Sequence, residues 1–275
     1  MELLTQITDD RFDLEKLDQY ELHIEIQPTR FKFYLVEASH KTVFWLEDYA
    51  SKSDYNPIVF SEKVINLINN HIFLKASFWK KITLTFDSPI YTKVVESFFE
   101  ESRLNDYLSI SFPDVNSLDF KTLFEKAGND FLIYAVPLKL FSFFETNYCS
   151  NPPQVQNKII KIYRSFLKYS NYNHINWIII GDKWIDIYFR NTATNQIIYK
   201  NFPLTTKNLN AGLDTLIKNG GMKTQIWGEI TPYSKIYARI KSKIKTTEIG
   251  ELNTNKKFTV LFEDLPSQRH FSLFL

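Results

Sequence analysis

Two carboxylates carry most of the chemistry this chain could do. Glu25 sits in an alternating run, Leu22-His-Ile-Glu-Ile, and Asp87 ends a second apolar run, KKITLTF, just before Ser88-Pro89. If those runs are neighbouring strands, the acids lie side by side where the connectivity of an open α/β sheet reverses, a place such sheets use for ligands. Paired acids there could hold a divalent ion, as metal-dependent nucleases do, although no third acid is fixed beside them. The plainer readings are a solvent-facing strand position for Glu25 and ordinary turn chemistry for Asp87. Asp182 and Asp186 are read the same way, the first as a turn residue and the second as an exposed strand position between Ile185 and Ile187. His23, His40, His71, His174 and His270 include no pair at metal-ligand spacing and read as surface or strand residues. No GxGxxG, GxxxxGK or GxSxG is present. Cys149 is the only cysteine, which excludes an internal disulfide and a cysteine-rich metal site.

The elements that position these residues follow from a repeat. LHIEIQPTRFKFYLVEASHKTVFWLEDYA, from Leu22, lies without a gap on NWIIIGDKWIDIYFRNTATNQIIYKNFPL, from Asn176, an offset of 154 residues. Ile24 meets Ile178, Ile26 meets Ile180 and Tyr34 meets Tyr188. Each copy alternates, turns sharply, alternates again and ends on a third strand, so the chain is expected to be two-lobed with a cleft between the lobes. In the first half, residues 1–20 read as a lead-in, with strands near 22–27, 31–38 and 42–48 and a hairpin turn at Pro28-Thr29. Ser61 is expected to cap a helix after the loop around Asp54, and the strand 80–86 follows. YTKVVESFFEES has helical spacing, and 131–136 reads as a fifth strand leading into a helix. Two prolines in SNPPQVQ mark the boundary, giving lobes 1–150 and 151–275 with a linker helix over 154–169. The second repeat fills 175–204, followed by a helix ending at Gly220-Gly221 and by the strand TQIWGEI. A helix with Pro232 in its first turn comes next, and two strands separated by Pro266 complete the reading.

Composition bounds the partners loosely. Thirty-three Lys and Arg against thirty-one Asp and Glu give a net charge of +2 without a long run of one sign. Aromatics are abundant, but so are Lys, Asn and Ile while Gly is scarce, a mix that fits A/T-biased codons better than a base-stacking surface. Trp184 and Trp227 read as core or rim packing. The start lacks a signal-like pattern and the longest apolar stretch, from Phe131, contains Lys139 and Pro137. A cytoplasmic protein with no membrane insertion and no nucleic-acid partner is expected.

Three antiparallel strands, a crossing helix and a fourth strand form a ribonuclease-H-like half. Two such halves in tandem resemble the actin, sugar kinase and heat-shock ATPase superfold, an α/β architecture of mixed sheets flanked by helices. More narrowly, LHIEIQPTRFKFYLV, NWIIIGDKWIDIYF, IWGEITPYSKIYARI and LPSQRHFSLFL, in that order, are similar to an uncharacterised bacterial family described as having an actin-like ATPase fold. The resemblance implies an Mg-ATP grip of two hairpins, each with an acid ending its first strand and small residues in the turn, and a pair of glycines on the adenosine side. Here Glu25 stands at the first acid position and Gln27-Pro28-Thr29 fills the turn, where proline offers no N–H. In the second copy Ile179 takes the acid position, Gly181 keeps the turn glycine and Asp186 falls where some members have a second acid. Gly228-Glu229 replaces the glycine pair.

These departures imply a non-catalytic or weakly nucleotide-binding member acting as an interaction module for a protein partner, with no cofactor. The alternatives are an active ATPase or phosphotransferase that holds ATP and magnesium through Glu25, Gly181, Asp186 and Gly228, and a ribonuclease-H-like nuclease.

Overall fold

A computed structural model describes residues 1–52, 56–115, 118–170, 175–220, 223–251 and 254–275. Asp54, His174 and Gly221, singled out above, lie outside the described residues. The chain divides into two compact units, Met1–Ile160 with Asn255–Asp264, and Lys161–Thr254 with Leu265–Leu275.

In the first unit, β1 (Glu2–Thr8), β2 (Tyr20–Ile26), β3 (Arg30–Glu37) and β4 (Thr42–Ala50) pair antiparallel in the order β1-β4-β3-β2. The expected lead-in is therefore a sheet edge. Gln27 N–H donates to Arg30 O at 2.9 Å, so Pro28-Thr29 make the tight turn anticipated from the sequence. Helix α1 (Pro57–Asn70) then crosses back, and β5 (Lys81–Phe86) lies parallel to β2. The cap of α1 is Asn56, which accepts from Ile58 N–H and Val59 N–H at 3.0 and 3.1 Å. Ser61 is instead buried inside the helix, its hydroxyl donating to Pro57 O at 2.6 Å.

An insertion follows. β6 (Tyr91–Val95), α2 (Leu104–Ser111), β7 (Phe120–Ala127) and β8 (Asp130–Pro137) make a separate three-stranded sheet, order β6-β8-β7, with one helix on it. Val94, Leu108, Ile133 and Ala135 form its own core. The helical spacing seen from Tyr91 is overridden because Thr92, Val94 and Val95 are β-branched and pair along β8. The run 131–136, expected as a fifth strand of the main sheet, is the centre of this inserted one. Helix α3 (Leu138–Asn147) leads to the true fifth position, β9 (Gln154–Asn157), parallel to β5. The linker helix is correspondingly shorter: Asn157 Oδ1 accepts Ile159 N–H at 2.8 Å, and α4 (Lys158–Ser170) begins there.

The second unit repeats the plan without the insertion. β10 (Asn176–Ile180), β11 (Trp184–Arg190) and β12 (Ile197–Pro203) are antiparallel, α5 (Thr206–Lys218) crosses, and β13 (Thr224–Gly228) returns parallel to β10. Gly220, at φ 104°, provides the left-handed stop after α5. Helix α6 (Lys235–Lys243) is capped by Ser234, so Pro232 precedes it, and β14 (Thr247–Ile249) pairs parallel with β13. Ile178, Ile180, Ile187, Leu213 and Ile226 are the centre of this core. The last segment is not two strands. β15 (Lys257–Phe258) pairs with β4 of the first unit, and α7 (Ser267–Phe274) is a helix whose residues from His270 to Phe274 are all buried. Among the described residues no helix is long and apolar enough to cross a membrane.

Removing the α1 cap tests the local argument. Asn56→Ala is expected to cost about 1 kcal/mol in urea unfolding, with the cooperativity of the transition unchanged.

Candidate functional site

The parallel strands β2, β5 and β9 end together, and their last residues set the site. In register, Glu25 pairs with Thr85 on β5 and with Lys32 on β3; Lys32 pairs with Asp48 on β4, and Thr85 with Gln156 on β9. A polar row therefore crosses five strands. Glu25 is 0 % exposed, Asp48 1 %, and Lys32 and Thr85 2 % each. Charges so deeply placed must be matched within the fold, and signs alternate along Asp48, Lys32 and Glu25. Lys32 Nζ and Arg30 Nε each lie 3.8 Å from an Asp48 oxygen, and Gln27 Nε2 donates to Glu25 Oε1 at 2.5 Å.

Lys158, the first residue of α4, completes the arrangement. Its ammonium lies 2.8 Å from Asp87 Oδ2 and 3.6 Å from Glu25 Oε1. The two acids expected to meet at the strand ends do meet, with a side-chain cation between them. Glu25 is thus no solvent-facing strand residue: the row and the lysine account for its burial. Nearby, Glu125 on β7 accepts the backbone N–H of Asn157, placing a further carboxylate at the positive end of α4. Among the described residues no group of three or more His, Cys, Asp or Glu is placed to hold a metal ion.

The second unit shows the same construction. Gly181 N–H donates to Trp184 O at 2.9 Å, the counterpart, 154 residues on, of the Gln27–Arg30 bond. Asp87 N–H donates to Ile26 O at 2.8 Å, and Glu229 N–H to Ile180 O at 2.7 Å, so Asp87 corresponds to Glu229 and Phe86 to Gly228. Here too a cation from a later helix meets the strand-end acid: Arg269 Nε lies 2.6 Å from Glu229 Oε2.

The other residues singled out from the sequence have roles in the second sheet. Gly228, at φ 93°, brings its backbone against β10; a Cβ there would stand 2.1 Å from Ile180 O. Asp186 is only part-exposed and accepts from Tyr199 OH at 2.9 Å and Asn201 Nδ2 at 2.6 Å, its cross-strand neighbour. Asp182 is exposed beside Gly181 in the turn. Trp227 is buried and stacks on Phe271 at 4.7 Å, whereas Trp184 is exposed at the start of β11. His23 lies in strand β2 and His40 is exposed, as expected, but two histidines differ. His270 is buried in α7, and His71, at the end of α1, faces the buried Glu47 at 3.2 Å. Burial pushes the Glu47 carboxyl up, but hydrogen bonds from His71, Tyr49 and Trp45 outweigh it and hold it below its ordinary value.

Lys158 and Arg269 were not anticipated. One signal was available for Lys158: a cation in the first turn opposes the helix dipole, so a lysine just after a capping Asn asks for a nearby acid.

With this geometry in hand, the protein class is plain. It is a mixed α/β protein of two ribonuclease-H-like lobes with the actin-like ATPase fold. It is similar to a crystal structure from Bacteroides thetaiotaomicron of a protein with this fold and unknown function, at 14 % identity over 87 % of this chain and 93 % of that one, TM-score 0.66. It is also similar to the PilM-PilN type IV pilus biogenesis complex, at 7 % identity over 92 % and 96 % of the chains, TM-score 0.55. No curated protein matches. The chain belongs to the family described as protein of unknown function (DUF3822), whose pattern matches residues 9–246. No specific activity is established by these likenesses.

Two substitutions test the site's architecture. Lys158→Met leaves Glu25 buried without its ammonium and is expected to cost about 3 kcal/mol in urea unfolding, part of it restored by adding Glu25→Gln. Gly228→Ala is expected to cost at least about 3 kcal/mol, since it combines a left-handed backbone with a backbone clash.

Proposed function

We propose that this chain is a non-catalytic member of the actin-like fold, at most weakly binding nucleotide, that works in the cytoplasm as an interaction module for a protein partner. The observation that supports this most is Lys158, whose ammonium bridges Glu25 and Asp87. The resemblance implies magnesium at the first hairpin's acid; here a tethered cation already neutralises that acid, and a dication beside it would meet like charge. Pro28 supplies no N–H to a phosphate, and Gly181 N–H is engaged by Trp184 O within its own hairpin. PilM, of the same fold, is known in complex with PilN, which supports the reading that this architecture serves as an assembly partner.

Thermal unfolding decides between this reading and an active ATPase. With about 1 mM ATP and magnesium together, the unfolding midpoint is expected to move by less than roughly 1 °C. A larger shift than with either alone, abolished by Glu25→Ala or Asp186→Ala, overturns the proposal and restores a nucleotide site.

A further inference from the structure

Charge is sorted between the two units. The second holds 15 Lys and Arg against 6 Asp and Glu, a net of +9, whereas the first holds 18 against 25, a net of −7. A codon bias toward lysine would not produce this, because the first unit has similar access to lysine and is acidic. Within the second unit the positive charge gathers around α6. From Ile230 to Thr247 there is no Asp or Glu, while Lys235, Arg239, Lys241, Lys243 and Lys245 are all exposed.

The helix has no choice about which face it shows. Ile236, Tyr237 and Ile240 pack into the unit's core, so the cations face outward. Lys235, Arg239 and Lys243 recur every four residues along one stripe, and Lys241 Nζ stands 5.5 Å from the centroid of the Tyr237 ring. Helix α5 lies alongside and adds the exposed Lys207, with Arg239 Nη1 donating to Thr206 Oγ1 at 3.3 Å, while its Asp214 pairs Lys243 at 2.8 Å. The helix dipole favours Lys241 and Lys243 in the last turn. It opposes Lys235 in the first, so helix stability does not explain the pattern. Tyr233, 97 % exposed, stands just ahead of α6.

We propose that this α5–α6 face docks peripherally on an anionic phospholipid surface. Clustered cations on the polar side of a helix suit a smeared negative plane, and an exposed tyrosine suits the headgroup layer, where its ring and hydroxyl are both satisfied. Four of the five α6-region cations are lysines, point charges rather than the planar forks that read bases and phosphates, and Tyr233 alone is not a stacking platform for successive bases. With its apolar side committed to the core, α6 adsorbs without inserting. The inference is independent of the nucleotide reading.

The test is co-sedimentation of the full chain with vesicles of phosphatidylcholine alone, or with added phosphatidylglycerol. Binding is expected only to the anionic vesicles. It should weaken roughly fivefold per cation removed, so roughly a hundredfold for K235Q/R239Q/K241Q, whose far-UV spectrum should stay native. Equal binding to neutral vesicles, or a folded triple variant that binds as wild type does, overturns the proposal. Tighter binding to mixed-sequence DNA than to anionic vesicles also overturns it and gives the face to nucleic acid. Should the variant misfold, salt titration of the wild type decides: binding unchanged between about 50 and 500 mM salt is incompatible with an electrostatic surface.

Discussion

The interaction on which the first unit's centre depends is the ammonium of Lys158 against two carboxylates from different strands. Placing Glu25 at zero exposure is costly unless a counter-charge is close and its position fixed. Lys158 meets both conditions because Asn157 caps α4 and fixes where the helix starts. The ends of β2, β5 and β9 are thereby tied by side chains as well as by the ladder. Removing the cation would leave two carboxylates without the counter-charge they share, which is why the contact specifies an arrangement more than it adds net stability.

The duplicated construction gives this arrangement meaning. Two hairpin bonds and two strand-end bonds recur in equivalent places, and in each unit a helix that follows the last strand of the path returns a cation to the strand-end acid. The chemistry of the two pairs differs. Lys158 sits over a buried row of alternating charge, whereas Arg269 and Glu229 are partly solvated, at 40 % and 18 % side-chain exposure. The Lys158–Glu25 contact is therefore the stronger constraint, since water screens Arg269–Glu229 and also reaches Asp87, at 32 % side-chain exposure.

Much of the fold was legible in the sequence because alternation and turn chemistry are local. The offset of 154 residues located both hairpins, and the glycine stop after α5 followed from positive φ. The misreadings share a cause: packing partners that are remote in sequence. Tyr91–Val95 has helical spacing but is held extended by β8, some forty residues on. Glu2–Thr8 looks polar because it is an edge strand exposed on much of its surface. The ending FSLFL reads as a short apolar strand, yet it belongs to a helix packed on β13, with Phe271 stacked on Trp227. At the site, Glu25 and Asp87 were found by neighbouring-strand logic, but their cation comes from about seventy residues beyond Asp87, a distance that no periodicity reports. The near-neutral total likewise concealed opposite charges in two units whose membership becomes known only from the fold.

The chain's path has a consequence for how it matures. Residues 255–264 leave the second unit to lay β15 beside β4 and bury Phe262 in the first, before the chain returns to form α7. During synthesis the amino-terminal unit consequently waits, unfinished along that side of β4, until the whole of 161–254 has been made and β15 follows it. Its closure and the docking of α7 are then consecutive late events rather than the folding of one lobe followed, much later, by the other.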